Sequence, residues 1–350
     1  MNKSGSVADK APVAESELSA LFGDFANSRK TLLAVSGGPD STALLVLAAK
    51  WRAKRDGGPE LVAATIDHRL RAASKAEANV VAKLAASLGI PHHILEWKGK
   101  KPITGVQEAA RDARFEMFSQ LAKEIGADTL MTAHTRDDQA ETVLHRMGRG
   151  SGIGGLAGIR RVHKRGGIFL ARPFLDLPKT RLIATLKKLR IQFASDPTNN
   201  DTKYLRARLR KLAPLLAKEG IDAANLTLMA KRLARANAAL SRLSDEAAFA
   251  LRADRDEGRA FEARGFFLMP EEIGLRILRD SVDAEGIEGP AELAKVEALY
   301  DSLVTAHRTG QGQKRTLAGA LVTLSEAALV VAAAPPRKSA SNMVKKARKP

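Results

Sequence analysis

An apolar run, Thr31-Leu-Leu-Ala-Val35, leads straight into Ser36-Gly-Gly-Pro-Asp-Ser41 and then into an apolar helical segment. The run is short and continuously apolar after its first residue, which is typical of a strand buried on both faces of a parallel sheet. In such sheets ligands bind at the carboxyl ends of the strands, where the next helix offers free N–H groups and a partial positive charge. The two glycines let the backbone approach an anion, and the two serines can donate hydroxyl groups. This segment therefore predicts a phosphate-binding loop.

The alternation of strand-like and helical segments continues on both sides of the loop. Strands are predicted at residues 31–35, 61–66, 92–97, 129–132 and 168–171. Helices are predicted at about 16–27, 42–55, 74–88, 106–125 and 138–147. Short apolar strands that alternate with helices predict an α/β fold, a doubly wound parallel sheet with helices on both faces.

The second half of the chain has a different pattern. Helices are predicted at 179–189, 203–217, 225–253, 271–284 and 290–307, and strands at 314–318, 320–324 and 327–333. We expect a helical extension followed by a small α+β unit. The predicted division is an N-terminal segment with the first helix (1–28), a catalytic domain (29–200), a helical linker that contacts RNA (201–256), the α+β domain (257–335) and a basic disordered tail (336–350).

The composition of the loop indicates its chemistry. No Lys occupies the position that a Walker A loop needs, so the loop suits a pyrophosphate leaving group and transfer of AMP from ATP. Asp40 faces the phosphates, which is unfavourable unless a cation lies between them, so we predict that Asp40 binds Mg²⁺. The alternative is a plain turn in which Asp40 and Ser41 cap the helix. The residues predicted to bind the nucleotide are Ser36, Gly37, Gly38, Pro39, Asp40 and Ser41.

A pair of arginines is the next candidate. Arg111 and Arg114 stand at i and i+3 of a predicted helix, so both can point at one anion. The alternative is a surface helix in which they pair with Glu108 and Asp112.

A group of acidic residues follows the fourth predicted strand. His134, Asp137, Asp138 and Glu141 have i, i+3, i+4 and i+7 spacing, which places them along one stripe of a helix start. A carboxylate cluster of this kind would serve a cationic amino acid. The two aspartates also fit an acidic first turn that complements the helix dipole.

Four further strings accompany the loop in a fixed order. They are DHRLR at 67–71, QEAARDARF at 107–115, TAHTRDDQAET at 132–142 leading to RGSG at 149–152, and DPTNND at 196–201 followed by Tyr204 and Arg206. As a set, and with the loop, they resemble the tRNA(Ile)-lysidine synthetase family of PP-loop ATP pyrophosphatases over about residues 30–210. That family frequently has Asn after the arginine, where this chain has Ala207. His68 and Arg71 either reach the ligand or only shape their loop.

The resemblance implies a Rossmann-like enzyme that uses ATP to adenylate the C2 oxygen of the wobble cytidine of tRNA(Ile) with a CAU anticodon. The ε-amine of free L-lysine then attacks C2, and AMP leaves. The resemblance implies these catalytic residues: Asp40, Arg111, Arg114, His134, Asp137 and Glu141. It implies these substrate-binding residues: Asp137, Asp138 and Glu141 for lysine, and Arg206, Arg208 and Arg210 for phosphate of ATP or tRNA.

The charge of the chain is unevenly distributed. The 350 residues carry 57 Lys and Arg against 39 Asp and Glu, a net charge of +18. Three acid-free stretches, at 142–175, 202–218 and after Glu326, hold 19 of the basic residues and leave the remainder neutral. Localised basic patches are what a polyanion requires, because neutralised phosphates release counterions. The alternative is solvated helix faces and a solubilising tail.

Several other classes of function are weighed against this one. The chain has no Cys, which excludes disulfides, cysteine-ligated clusters and the persulfide chemistry of a PP-loop tRNA thiolase. A non-enzymatic RNA-binding protein and a small-molecule PP-loop amidating ligase remain alternatives. No run approaches the roughly 18 apolar residues of a membrane helix, so we expect no membrane partner and a cytoplasmic location. The oligomeric state is open, with a homodimer as one option.

Overall fold

A computed structural model of the chain describes residues 9–67, 73–96, 106–194, 205–254 and 258–335. The chain divides into two compact units. One unit comprises residues 1–150 and 155–232, and the other comprises residues 151–154 and 233–350. Within the described part, no helix combines the length and the apolarity needed to cross a membrane.

The first unit is built on a six-stranded sheet with the order β3-β2-β1-β4-β6-β5. Its strands are β1 (Lys30–Ala34), β2 (Glu60–Asp67), β3 (His92–Glu96), β4 (Thr129–Met131), β5 (Val162–Arg165) and β6 (Ile168–Ala171). The first four strands and β6 pair in parallel, and β5 is antiparallel to β6 at the edge. The middle of β1 is fully buried, as expected of a strand covered on both faces.

Helices and short helical turns connect and extend these strands. The first unit contains α1 (Leu18–Phe22), α2 (Pro39–Ala53), α3 (Ala73–Ser87), α4 (Val106–Ile125), α5 (Arg136–Met147), α7 (Lys179–Lys188) and α8 (Leu205–Lys218). Two further helices, α6 (Ile153–Leu156) and α9 (Ala223–Ala250), continue across the boundary of the two units. Of residues 73–75, 106–111 and 205–207, only the backbone is described.

Two apolar cores lie on the two faces of the six-stranded sheet. One core joins Phe22 of α1, Trp51 of α2 and Leu186 of α7 to the sheet. The other packs Phe118 and Leu121 of α4 against β1, β2, β4 and β6. Helices on both faces confirm the predicted doubly wound α/β fold.

The second unit has a four-stranded antiparallel sheet with the order β7-β10-β9-β8. Its elements are β7 (Arg259–Glu262), α10 (Ala263–Leu268), α11 (Glu271–Glu285), α12 (Leu293–Arg308), β8 (Gln313–Leu317), β9 (Ala320–Leu324) and β10 (Ala328–Ala333). Phe266, Leu278 and Leu303 are fully buried against this sheet. The unit confirms the predicted small α+β region at the carboxyl end, whereas the five-part division of the chain stays a prediction.

Some local predictions are wrong. The sequence predicts a first helix at 16–27, whereas the α-helix α1 is short and is flanked by 3₁₀ turns at Glu15–Glu17 and Gly23–Phe25. Strands β5 and β7 were not predicted, because each has only four residues and β5 is mostly polar and charged. Short edge strands carry little of the apolar signal on which sequence reading depends.

Candidate active site

The site lies where the strand order reverses. The chain leaves β1 toward β2 and β3 on one side and later returns to β4 on the other side of β1. The carboxyl ends of β1 and β4 therefore flank a crevice, the usual ligand position in open parallel sheets. Three segments emerge at this edge: the loop after β1, the turn into α5 after β4, and the turn into α7 after β6.

The loop after β1 is held by its own hydroxyl groups. The Ser36 amide donates to Ser41 Oγ over 3.0 Å, and Ser41 Oγ donates to the Gly38 carbonyl over 3.1 Å. Gly37 has φ +83°, a backbone conformation that favours glycine. The serines thus shape the loop in this structure.

Helix α2 begins directly after this loop. Its N-cap is Gly38 and its first residue is Pro39, which lacks an N–H and is preset for a first helical position. Helix geometry leaves the amides of Asp40 and Ser41 without intrahelical acceptors. Their N–H groups and the positive end of the helix dipole suit an anion.

Asp40 is the central charged residue of the loop. Its Oδ2 atom forms an ion pair with Lys179 Nζ, at a distance of 3.0 Å. Its Oδ1 atom is buried and has no hydrogen-bond partner within the described part of the chain. Burial raises the pKa of Asp40, Lys179 opposes this, and the nearby charges of Asp138 and Asp137 add to the increase. The carboxylate therefore has one oxygen for which the described structure provides no partner.

The turn after β4 carries the acidic group. Thr135 is the N-cap of α5, and Asp138 Oδ2 accepts hydrogen bonds from the Thr135 amide at 2.8 Å and its hydroxyl at 2.9 Å. Asp137 Oδ2 accepts the backbone N–H of Lys179 at 2.8 Å. Asp138 therefore caps the start of its own helix, whereas Asp137 caps the start of α7, a contact that the sequence did not indicate.

His134 lies outside the helix, so its predicted place on a helical stripe with the carboxylates is wrong. Thr135 is the N-cap, so the helix begins at Arg136, two residues after His134. Its Nδ1 atom lies 2.9 Å from Thr132 Oγ1. His134 nevertheless stays at the carboxyl edge of β4, half-buried beside the acidic turn.

Glu141 is buried one turn further along α5 and is 8% exposed. Its two carboxylate oxygens accept both the Nε and an Nη of Arg210 from α8, the second contact at 3.2 Å. The hydrogen bond to Glu141 raises the pKa of Arg210, although burial opposes this, and Asp138 and Asp40 contribute through their charges. Arg210 was predicted to contact phosphate, but here it neutralises the acidic group.

The remaining predicted residues are only partly covered by the structure. Arg111 and Arg114 both lie in α4, where the Arg114 side chain is exposed and that of Arg111 is not described. Arg208 is exposed on α8, and of Arg206 only the backbone is described. The residues His68, Arg71 and 195–204, with the tail from 336, lie outside the described residues.

The first basic stretch contains two classes of side chain. Three arginines serve the fold by donating to backbone carbonyls: Arg146 to Gly155 and Gly158, Arg161 to Pro173 and Leu21, and Arg172 to Arg160. Arg149, Arg160 and Lys164 are exposed, as is Arg165, which pairs with Asp112. The sequence could not separate these classes, because both consist of basic residues in an acid-free run.

Lys179 is the site residue that sequence reasoning missed. It follows Pro178 at the start of α7, 139 positions after Asp40 in the chain. Nothing in the string PKTR distinguishes it from a surface lysine at a helix start.

The chain is similar to known proteins over most of its length. A family model described as a PP-loop domain matches residues 10–216. A tRNA(Ile)-lysidine synthase of Bradyrhizobium diazoefficiens is 48% identical over 349 residues, which is 94% of this chain and 97% of that protein. The tRNA(Ile)-lysidine synthase of Rhodopseudomonas palustris is 50% identical over 339 residues, covering 94% of this chain and 98% of that protein.

The chain belongs to the tRNA(Ile)-lysidine synthase family. Its membership extends beyond the PP-loop domain, since the alignments with both relatives cover nearly the whole length of each protein. Among solved structures, a U34-tRNA thiolase of Methanococcus maripaludis has a TM-score of 0.55 at 17% identity, covering 63% of this chain and 77% of that one. That likeness shows a shared fold.

Proposed function

We propose that this chain adenylates the C2 oxygen of the wobble cytidine of tRNA(Ile) with ATP and then transfers free L-lysine to that carbon. The lysine ε-nitrogen forms the new bond to C2, the C2–O bond to the adenylate breaks, and AMP leaves with the oxygen. The observation that carries this proposal is the convergence, at one crevice, of a phosphate loop and an acidic group in a chain of the tRNA(Ile)-lysidine synthase family.

The phosphate loop would serve the first half-reaction. Adenylation needs positions for the triphosphate and neutralisation of its charge, without covalent catalysis by the protein. The amides at the start of α2 and the hydroxyl of Ser36 supply donors at the carboxyl end of β1. Arg111 and Arg114 on α4 are proposed to add positive charge to the same nucleotide.

Asp40 fits a Mg²⁺ site. Its buried Oδ1 has no partner among the described groups, and Mg²⁺ at nucleotide sites is usually bound by one or two carboxylates together with phosphates. Charge neutralisation on the phosphates is the chemistry that Mg²⁺ supplies when bound.

The acidic end would serve the second half-reaction. Glu141 and Asp137 are proposed to recognise the cationic groups of lysine, with His134 at the edge of the same pocket. In the present structure a cation already contacts Glu141, namely the guanidinium of Arg210. A buried carboxylate that holds one cation tightly has the position and charge to bind another in its place.

The exposed basic residues are proposed to contact tRNA. The exposed members of the first stretch include Arg149, Arg160 and Lys164, and those of the second include Arg208 and Lys211. Arg165 is also exposed, but it pairs with Asp112. Phosphate contacts of this kind need exposed charges rather than arginines committed to backbone carbonyls. A cytoplasmic location and a homodimer remain predictions.

We disfavour the hypothesis that this chain is a tRNA thiolase. The solved thiolase shares the fold, but this chain has no Cys to carry sulfur or to ligate a cluster. A purely RNA-binding role leaves the acidic group around Asp40 unexplained, because those carboxylates repel phosphate.

The test is to incubate the protein with ATP, labelled L-lysine and total tRNA. Base-stable label in one isoacceptor, with AMP released in equal amount, is the expected result. Base-labile label would indicate an aminoacyl ester and would overturn the proposal.

A further inference from the structure

The ion pair between Lys179 and Asp40 joins two helices that are rigidly packed together. Leu182 and Leu186 of α7 lie in the same core as Leu44 and Leu47 of α2. The distance from Lys179 Nζ to Asp40 Oδ2 is 3.0 Å, and the Lys179 side chain is 40% exposed while that of Asp40 is 23% exposed. A lysine at this place is therefore held at its backbone by two packed helices and reaches the loop through a flexible stem.

A second contact fixes the backbone of Lys179. Its N–H donates to Asp137 Oδ2 at 2.8 Å, and the Arg136 N–H donates to the Leu177 carbonyl at 2.9 Å. The start of α7 is thereby fastened to the start of α5. The ammonium group alone remains adjustable, because four methylene groups separate it from this anchored backbone.

The ammonium group of Lys179 supplies positive charge that the loop itself does not contain. The loop has no lysine of its own. Among the described groups, Lys179 is the one cation within ion-pair distance of the Asp40 carboxylate. An ammonium group at Oδ2 and a divalent cation at Oδ1 of the same carboxylate repel each other. A metal bound by Asp40 would displace the ammonium group toward the phosphates, which carry more negative charge than the carboxylate it leaves.

We propose that Lys179 is the phosphate-binding lysine of this loop, contributed by α7 instead of by the loop itself. In the nucleotide-free protein it neutralises Asp40, and with bound ATP it contacts phosphate oxygens of the pyrophosphate leaving group. This inference rests on the proposed function in that it takes ATP as the ligand. It adds a residue that the loop motif does not contain.

The experiment compares the wild-type protein with Lys179→Met, which keeps the length of the stem and the backbone contact to Asp137. Binding of ATP and of inorganic pyrophosphate is measured by calorimetry, and binding of Mn²⁺ without nucleotide is measured by electron paramagnetic resonance. Loss of one charge-assisted contact should weaken ATP and pyrophosphate about 10-fold or more. Loss of the competing ammonium group should strengthen Mn²⁺ binding about 3-fold or more. Opposite changes in the two constants are the expected result.

The controls distinguish this role from support of the fold. Lys187→Met, an exposed lysine two turns along the same helix, should leave every constant unchanged. Lys179→Arg should restore ATP binding in large part, because it returns a positive charge. If Lys179→Met lowers the melting temperature, Lys179→Gln repeats the test with a polar uncharged head and should give the same opposite changes.

Unchanged constants in a folded Lys179 variant, or equal weakening of ATP and Mn²⁺, would overturn the inference. If the wild-type protein itself fails to bind ATP, both this inference and the proposed function fail. If the affinities for ATP and Mn²⁺ change as expected but no free lysine is joined to tRNA, the role of Lys179 is supported and only the proposed function fails.

Discussion

The two ends of the crevice hold their carboxylates in different ways. Glu141 is paired at both oxygens with the guanidinium of Arg210. Asp40 is paired at one oxygen with the ammonium group of Lys179, and its other oxygen is buried without a partner in the described structure. A planar guanidinium satisfies a carboxylate, whereas a single ammonium contact leaves part of its charge to be met by another cation. In the function that we propose, the Asp40 end binds metal and phosphate, and the Glu141 end binds an exchangeable organic cation.

The largest effect is expected at Asp40. Asp40→Asn keeps the shape of the side chain and removes the charge that the proposed metal needs, so ATP-dependent labelling of tRNA should fall about 1,000-fold. The binding of tRNA, measured by filter retention, should stay within about 2-fold, since few phosphate contacts change. The matched control is Asp56→Asn, an exposed aspartate just past the far end of α2. Retained AMP release in Asp40→Asn would break the assignment of the metal end.

Glu141→Gln should have the next largest effect. A glutamine keeps the volume but loses the charge that would hold a lysine cation, so the KM for lysine should rise about 10-fold to 100-fold. The KM for ATP should change little, and steady-state assays that vary one substrate at a time measure both. Glu124→Gln, an exposed glutamate on α4, is the control. Equal increases in both KM values would show that the two ends are not separate.

Substitution of the exposed basic residues should change the affinity for tRNA alone. Changing Arg149, Arg160 and Lys164 to Gln should lower the slope of log affinity against log salt by up to about 3, because up to three phosphate contacts are lost. The KM for lysine and the melting temperature should stay the same. In contrast, Arg172→Gln removes a buried side chain that is 4% exposed, and it should lower the melting temperature. An unchanged salt slope in the triple variant would place the tRNA elsewhere.

The smallest effect concerns how α7 is anchored. Arg181 contacts Glu17 at 2.6 Å and 2.8 Å, and this hydrogen bond lowers the pKa of Glu17 although burial opposes it. A lowered carboxyl pKa gives stability that is present above the unfolded value and lost as the pH falls through the folded value. Because the Glu17 side chain is 35% exposed and solvent screens the ion pair, Glu17→Gln should cost less than about 1 kcal/mol near pH 7, and this cost should shrink as the pH falls from 7 toward 3.

The measurement for this variant is the melting temperature across that range, together with the affinity for ATP. The ATP affinity should be unchanged, because Lys179 is also held by Asp137 and by the packing of α7. A Glu17→Gln variant with weakened ATP binding would show that the position of Lys179 depends on this peripheral ion pair.

The sheet and the loop were predictable from the sequence because buried parallel strands are continuous apolar runs. Asp40 and the acidic turn were predictable because both directly follow such strands. The partners of those carboxylates were not. Lys179 and Arg210 come from helices distant in the chain, and Arg210 stands in a basic run that equally fits a surface for RNA.

Some of the wrong predictions have an identifiable structural cause. His134 has helical spacing to the carboxylates, but the capping box of Thr135 and Asp138 begins the helix after it. Arg161 and Arg172 look like an RNA surface in sequence, yet they fasten loops through backbone carbonyls. Such contacts depend on which loops lie close together in the folded chain, and the periodicity of the sequence does not contain that information.

The division of the crevice into two ends is tested most directly with unmodified tRNA(Ile) transcript and ATP labelled at the α-phosphate, first without lysine and then with it. The account predicts that wild-type protein places label on the tRNA and releases it as AMP when lysine is added. Asp40→Asn should place no label, whereas Glu141→Gln should place label but release it slowly at a given lysine concentration. If both variants fail at the same half-reaction, the two carboxylates do not serve separate ends and the account is contradicted.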